Sequence, residues 1–223
     1  MTQAILWAMA GTGFTFFMTS MGSATVFFFK KEISASIQRI FLGFAAGVMI
    51  AASIWSLLIP AMEEAKSAGQ PEWLAASGGF ILGIAFLMLL DSVLPHLHPG
   101  AKEAEGLSAN WKRTTMLMTA VTLHNIPEGM AVGLSFALAA QSGQGAGYAA
   151  AMALALGMGI QNFPEGAAIS LPLRQEGMSR TKSFVYGMLS GIVEPIFGIL
   201  VVLIAGQIGP LMPWLLSFAA GAM

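Results

Sequence analysis

Polar and apolar residues along the chain fall into long apolar stretches separated by short polar turns. A bilayer's hydrocarbon core takes about 20 apolar residues of α-helix, which makes such stretches membrane-span candidates. The pattern predicts spans at 3–29, 38–62, 73–95, 114–140, 147–171 and 183–208, with a seventh, partial one at 211–223. The first stretch is too long, and lacks the basic leader, for a cleaved signal peptide, so it reads as a true span. The expectation is an all-α, polytopic transmembrane helical bundle forming one domain over 1–223.

The informative positions are the polar exceptions. His124-Asn125-Ile126-Pro127-Glu128-Gly129 and Gln161-Asn162-Phe163-Pro164-Glu165-Gly166 are near-copies that lie inside the fourth and fifth predicted spans. A carboxylate near the middle of a bilayer costs about 2.5–3.5 kcal/mol even on lenient insertion scales, so it needs a partner or a task. His124 and Glu128 are spaced i,i+4, and Asn125 and Glu128 i,i+3, which places them on one helical face. Gln161, Asn162 and Glu165 repeat that arrangement. Each proline lacks the N–H that would pair with the carbonyl four residues earlier, Leu123 for Pro127 and Ile160 for Pro164, which predicts a kink with a freed carbonyl beside the polar cluster. At ~1.5 Å of rise per residue, Glu128 lies about 21 Å and Glu194 about 17 Å from the start of their spans, both near mid-membrane. Glu194-Pro195 repeats the pairing of Glu with Pro and joins the candidate site.

Composition agrees: 56% of residues are hydrophobic and 9% charged, with mean hydropathy +0.75, against about 25% charged in an ordinary soluble domain. The net charge of −1 predicts no nucleic-acid partner. Absence of cysteine excludes disulfides and thiolate metal sites. Lys30, Lys31, Arg39, Lys102, Lys112, Arg113, Arg174, Arg180 and Lys182 fall in the loops after spans 1, 3 and 5, and Lys66 alone falls on the other side. Since short basic loops stay cytoplasmic, the amino terminus should face outward. Trp7, Trp73, Trp111 and Trp214 near span ends suit an interfacial belt.

The hexapeptides start 37 residues apart, and successive spans cross in opposite directions, which predicts an inverted repeat. Transporters often build a mid-membrane binding site at such a repeat interface. Phe44-Ala45-Ala46-Gly47-Val48-Met49 recurs as Phe218-Ala219-Ala220-Gly221-Ala222-Met223, which aligns the last residue with mid-helix Met49 and predicts that two further spans follow in a longer protein.

One imidazole, carboxylates from three helices and several amide oxygens make a mixed N/O set that suits Zn²⁺, and also Fe²⁺, Mn²⁺ or Cd²⁺, while the lack of thiolate argues against Cu⁺. Carboxylates shared between the two hexapeptides could bridge two ions. Among lesser candidates, Met49 offers a soft thioether, though most of the 16 methionines are packing residues. Asp91, His96 and His98, at the inner end of span 3, could receive an ion leaving the site, and Glu63 and Glu64, at the outer end of span 2, could gather cations by attraction. A solvated helix end and a plain acidic loop explain these two groups equally well.

On these hexapeptides the sequence resembles the ZIP (Zrt/Irt-like) metal-ion transporters, and the span-5 version, Gln161 to Gly166, is similar to the GufA-type branch. The resemblance implies eight helices in a 3+2+3 inverted arrangement, with both termini outside. It further implies one metal position from His124, Glu128, Gln161, Glu165 and Met49, and a second from Asn125, Glu128, Asn162, Glu165 and Glu194. Some relatives carry Asp where this chain has the neutral Asn162, which would support a second dication less well.

The expected function is a secondary transporter that moves a divalent cation, Zn²⁺ foremost, into the cytoplasm by elevator-like alternating access, with no organic cofactor. The expected setting is the lipid bilayer of a bacterial inner membrane, and a homodimer stays open. The rival readings are a membrane metalloenzyme, which lacks a His-Glu-x-x-His motif and a convincing base, a metal sensor without transport, and a proton or organic-cation carrier using the same glutamates.

Overall fold

The computed structural model describes residues 2–28, 35–96, 106–107, 112–143, 145–205, 207 and 209–223. Its regular elements there are helical: α1 (Thr2–Ala24), α2 (Ala35–Ala51), α3 (Ile59–Ser67), α4 (Glu72–Val93), α5 (Arg113–Ser142), α6 (Gly145–Gln175), α7 (Arg180–Ser190), α8 (Val193–Ala205) and α9 (Met212–Ala222). A π-helical segment, Ala52–Leu58, joins α2 to α3. It precedes Pro60, whose missing N–H already weakens the local ladder. Lys30, Lys31, Lys102, Trp111 and His98 lie outside the described residues.

Among the described residues, four helical stretches are long and apolar enough to cross a membrane, namely Thr2–Phe27, Arg39–Ser67, Glu72–Val93 and Arg180–Ala205. The chain is therefore an integral, polytopic, all-α membrane protein. The helices expected at 114–140 and 147–171 are present as α5 and α6, 30 and 31 residues long, but are not among those four. Their polar hexapeptides dilute the apolar run. Both helices continue through Pro127 and Pro164 without interruption. The interruption falls in the sixth expected span, where α7 ends at Ser190 and α8 restarts at Val193. Pro195 then sits in the first turn of α8, where a missing N–H is tolerated.

The helices pack as two groups. In one, α1 lies along α6 and also touches α5, α7 and α8, while α5 pairs with α8 and α6. In the other, α4 lies along α9, which also meets α3 and the π-helical segment. The groups meet mainly where α5 touches α9 and α2 touches α6. Contacts inside the first group are very close. A Cβ on Gly129 would overlap the backbone of Glu194, and one on Gly22 the carbonyl of Phe163. Small residues let helix backbones approach in this way in lipid, where packing rather than hydrophobicity drives association. The shared core is accordingly rich in alanine, with Leu57, Leu134, Phe136, Met158, Met212 and Leu216 as its bulky fully buried members.

Candidate metal site

Both hexapeptides lie inside their helices, and the Gly129–Glu194 contact brings α8 against the first of them. Gln161 Nε2 donates to Glu128 Oε1 at 2.7 Å, and Asn162 Nδ2 donates to Glu194 Oε2 at 2.9 Å. Asn125 Nδ2 donates to the Ser190 carbonyl, the last residue of α7, at 3.0 Å. Carboxylates and carbonyls only accept, so all three amide orientations are fixed by their partners. The oxygen of each amide is left over.

Those oxygens have no donor. Asn125 Oδ1, Gln161 Oε1 and Asn162 Oδ1 are buried and unpaired, and so is Glu128 Oε2. A native interior pairs nearly all its buried polar atoms, and each exception calls for a reason. Here four exceptions share one chemistry: each is an oxygen lone-pair donor on one of the two hexapeptides. Glu165 is half-buried on α6, close enough to Glu128 and Glu194 for their charges to interact. Among the described residues, no three His, Asp or Glu side chains by themselves form a metal-sized cluster. A cation here would therefore need the amide oxygens as well as the carboxylates.

His124, unlike Glu128 four residues on, is exposed. It lines a cavity of about 220 Å³ together with Leu123, Met88, Asp91 and His96. His96 is buried, its Nδ1 2.9 Å from the Leu94 carbonyl and its Nε2 2.8 Å from Asp91 Oδ1. The structure thus places Asp91 and His96 across a cavity from His124, while their expected companion His98 lies outside the described residues. Met49 is half-buried on α2, and its neighbour Val48 packs by Gly157, one turn before Gln161. Glu63 and Glu64 stand on α3, which packs on α4, α9 and the π-helical segment, so they are not brought to the hexapeptides.

Two partners escaped the sequence reading. Thr19 Oγ1 on α1 lies 3.4 Å from Glu194 Oε1, and the Ser190 carbonyl receives Asn125. The i,i+3 and i,i+4 run of Thr12, Thr15, Thr19 and Ser23 in an apolar span was the signal for the first of these. The second is a helix end, which carries no residue-type signature.

The sequence profile described as ZIP zinc transporter matches residues 100–223. A human protein named zinc transporter ZIP11 is 36% identical over 304 aligned positions, covering 99% of this chain and 87% of the relative. The chain belongs to the ZIP family. Zinc transporter GufA of Myxococcus xanthus is 36% identical, covering 92% of this chain and 79% of its own length, and zinc transporter ZIPB of Bordetella bronchiseptica is 33% identical, covering 97% and 69%. As a ZIP chain it stands with metal transporters and not with enzymes, which sets aside the metalloenzyme reading.

Proposed function

We propose that this ZIP chain is a secondary transporter that carries Zn²⁺ into the cytoplasm, through a site that α5, α6 and α8 form near mid-membrane. The observation that carries the reading is the set of four buried, unpaired acceptor oxygens on the paired hexapeptides. Oxygen donors with one accessible imidazole suit Zn²⁺, and also Cd²⁺, Fe²⁺ or Mn²⁺, and the relatives' names single out zinc. In this reading His124, Glu128, Gln161 and Glu165, with Met49 approaching from α2, hold the ion. Asn125, Asn162 and Glu194 flank it and supply a second position in a binuclear centre.

The cavity between His124 and the Asp91–His96 pair offers the ion a way off the site toward the basic, cytoplasmic loops. The separation into two helix groups supports an elevator-like motion, with α1 and α5 to α8 as the moving body and α2, α3, α4 and α9 as the scaffold. The whole of 1–223 then acts as a single inverted-repeat transport domain, with the amino terminus outside. A bacterial inner membrane is the proposed home.

The test is zinc uptake into proteoliposomes by the intact protein and by Glu128→Ala, with a chelator control. Uptake that depends on free metal and disappears in the variant is the expected result. Intact protein that binds zinc yet carries none would overturn transport and favour a sensor. Flux that survives the chelator would favour a proton or organic-cation carrier.

A further inference from the structure

On α1, Thr12, Thr15, Thr19 and Ser23 are all fully buried. A threonine in an apolar helix needs no outside partner, since its hydroxyl can bond back to a carbonyl one turn earlier. Thr12 does so, with Oγ1 2.7 Å from the Ala8 carbonyl. Thr19 stands differently, because its Oγ1 lies between two acceptors, the Thr15 carbonyl at 3.2 Å and Glu194 Oε1 at 3.4 Å. A hydroxyl has one proton to donate, and an ionised carboxylate is the stronger acceptor.

The surroundings preserve this pair. A Cβ on Gly191 would stand 3.1 Å from Thr19 Cβ and 3.2 Å from Glu194 Oε1, so glycine there leaves the hydroxyl and carboxylate in reach of each other. Thr15, one turn earlier, bonds back to the Thr12 carbonyl at 2.9 Å. The second oxygen of the carboxylate, Oε2, receives Asn162 Nδ2 at 2.9 Å. Glu194 therefore belongs to α8 but is held from α1 on one oxygen and from α6 on the other. Glu128 has a donor on one oxygen only.

We propose that Thr19 is a positioning residue of the metal site, whose hydroxyl holds Glu194 Oε1 and so fixes the carboxylate against Asn162 and the paired hexapeptides. The inference deepens the proposed function and rests on Glu194 taking part in binding the ion. Through Thr19, a helix that carries neither hexapeptide sets how tightly the site holds its cation.

The test is a double-mutant cycle on zinc binding by the purified full chain in detergent, with uptake measured in parallel. Thr19→Val removes the hydroxyl at nearly constant shape, and should weaken half-saturation about tenfold, the low end of the loss typical for partners that orient metal ligands. Thr19→Ser, which keeps the hydroxyl, should restore most of the affinity. In a Glu194→Ala background Thr19→Val should add nothing, because its effect runs through the missing carboxylate. A Thr19→Val penalty of equal size in both backgrounds overturns the positioning role, as does unchanged binding beside a weakened Glu194→Ala. Should Thr19→Val fold poorly, Gly191→Ala, whose methyl separates the pair, must weaken binding likewise, and unchanged binding there overturns the proposal too. Zinc binding that follows the expected cycle without any wild-type uptake would sink transport while sustaining the role of Thr19.

Discussion

Gln161 Nε2 donates to Glu128 Oε1 at 2.7 Å, and this bond ties the first position of the α6 hexapeptide to the fifth position of the α5 hexapeptide. It fixes the amide so that its own oxygen is left unpaired, as is the second carboxylate oxygen, Glu128 Oε2. Buried acceptors without a donor are costly, and a cation would satisfy both. Replacing Gln161 by Leu keeps the bulk and removes both the bond and the oxygen. Zinc affinity in detergent, followed by calorimetric titration, should fall at least about tenfold.

If those unpaired oxygens hold the ion, the ion is also a ligand of the folded state. Anything that binds only the native state stabilises it, by about 2.7 kcal/mol at a hundredfold excess over the dissociation constant. Saturating zinc should therefore raise the thermal unfolding midpoint of the intact protein and leave that of Glu128→Ala where it was. Carboxylates and imidazole must shed protons to bind a cation, so binding releases protons and weakens as pH falls. The zinc-induced shift in midpoint should shrink in acid and recover on return to neutral pH.

Asp91 and His96 form a 2.8 Å pair facing the cavity that His124 lines. If this cavity is the way off the site, Asp91→Asn should lower the saturated rate of zinc uptake while leaving equilibrium binding in detergent unchanged. A parallel loss of binding would assign the pair to the site itself.

Gly129 sits where α5 meets the backbone of Glu194, and Gly13 faces open space on α1. Gly129→Ala must push two helices apart, at a cost of about 1–3 kcal/mol as for other overpacked interiors. Gly13→Ala meets nothing and should stabilise its helix by about 0.5–1 kcal/mol. Thermal unfolding of the two variants should therefore move in opposite directions.

Much of this was legible in the sequence. The apolar stretches overlap the described helices, and the hexapeptides announced themselves because His124, Asn125 and Glu128 are costly where they stand. The break between Ser190 and Val193 was not legible, since glycine and proline also occur inside continuous helices, as Gly129 and Pro127 do in α5. Nor was the contrast in exposure between His124 and Glu128, which depends on which neighbours cover each turn. Thr19 was hidden for a related reason: a threonine that bonds its own helix and one that reaches across to a carboxylate look alike until the partner helix is in place.

That contrast within a single turn of α5 orders the steps by which an ion would leave the site. His124 opens on the cavity, while Glu128, with 4% of its surface exposed, stands behind it. A cation leaving on that side can take up waters as it parts from the carboxylate and amides while the imidazole still holds it, and completes its hydration shell only in the cavity. The exchange of ligands for water is thereby divided into stages, with the oxygen donors released first and a single imidazole nitrogen last.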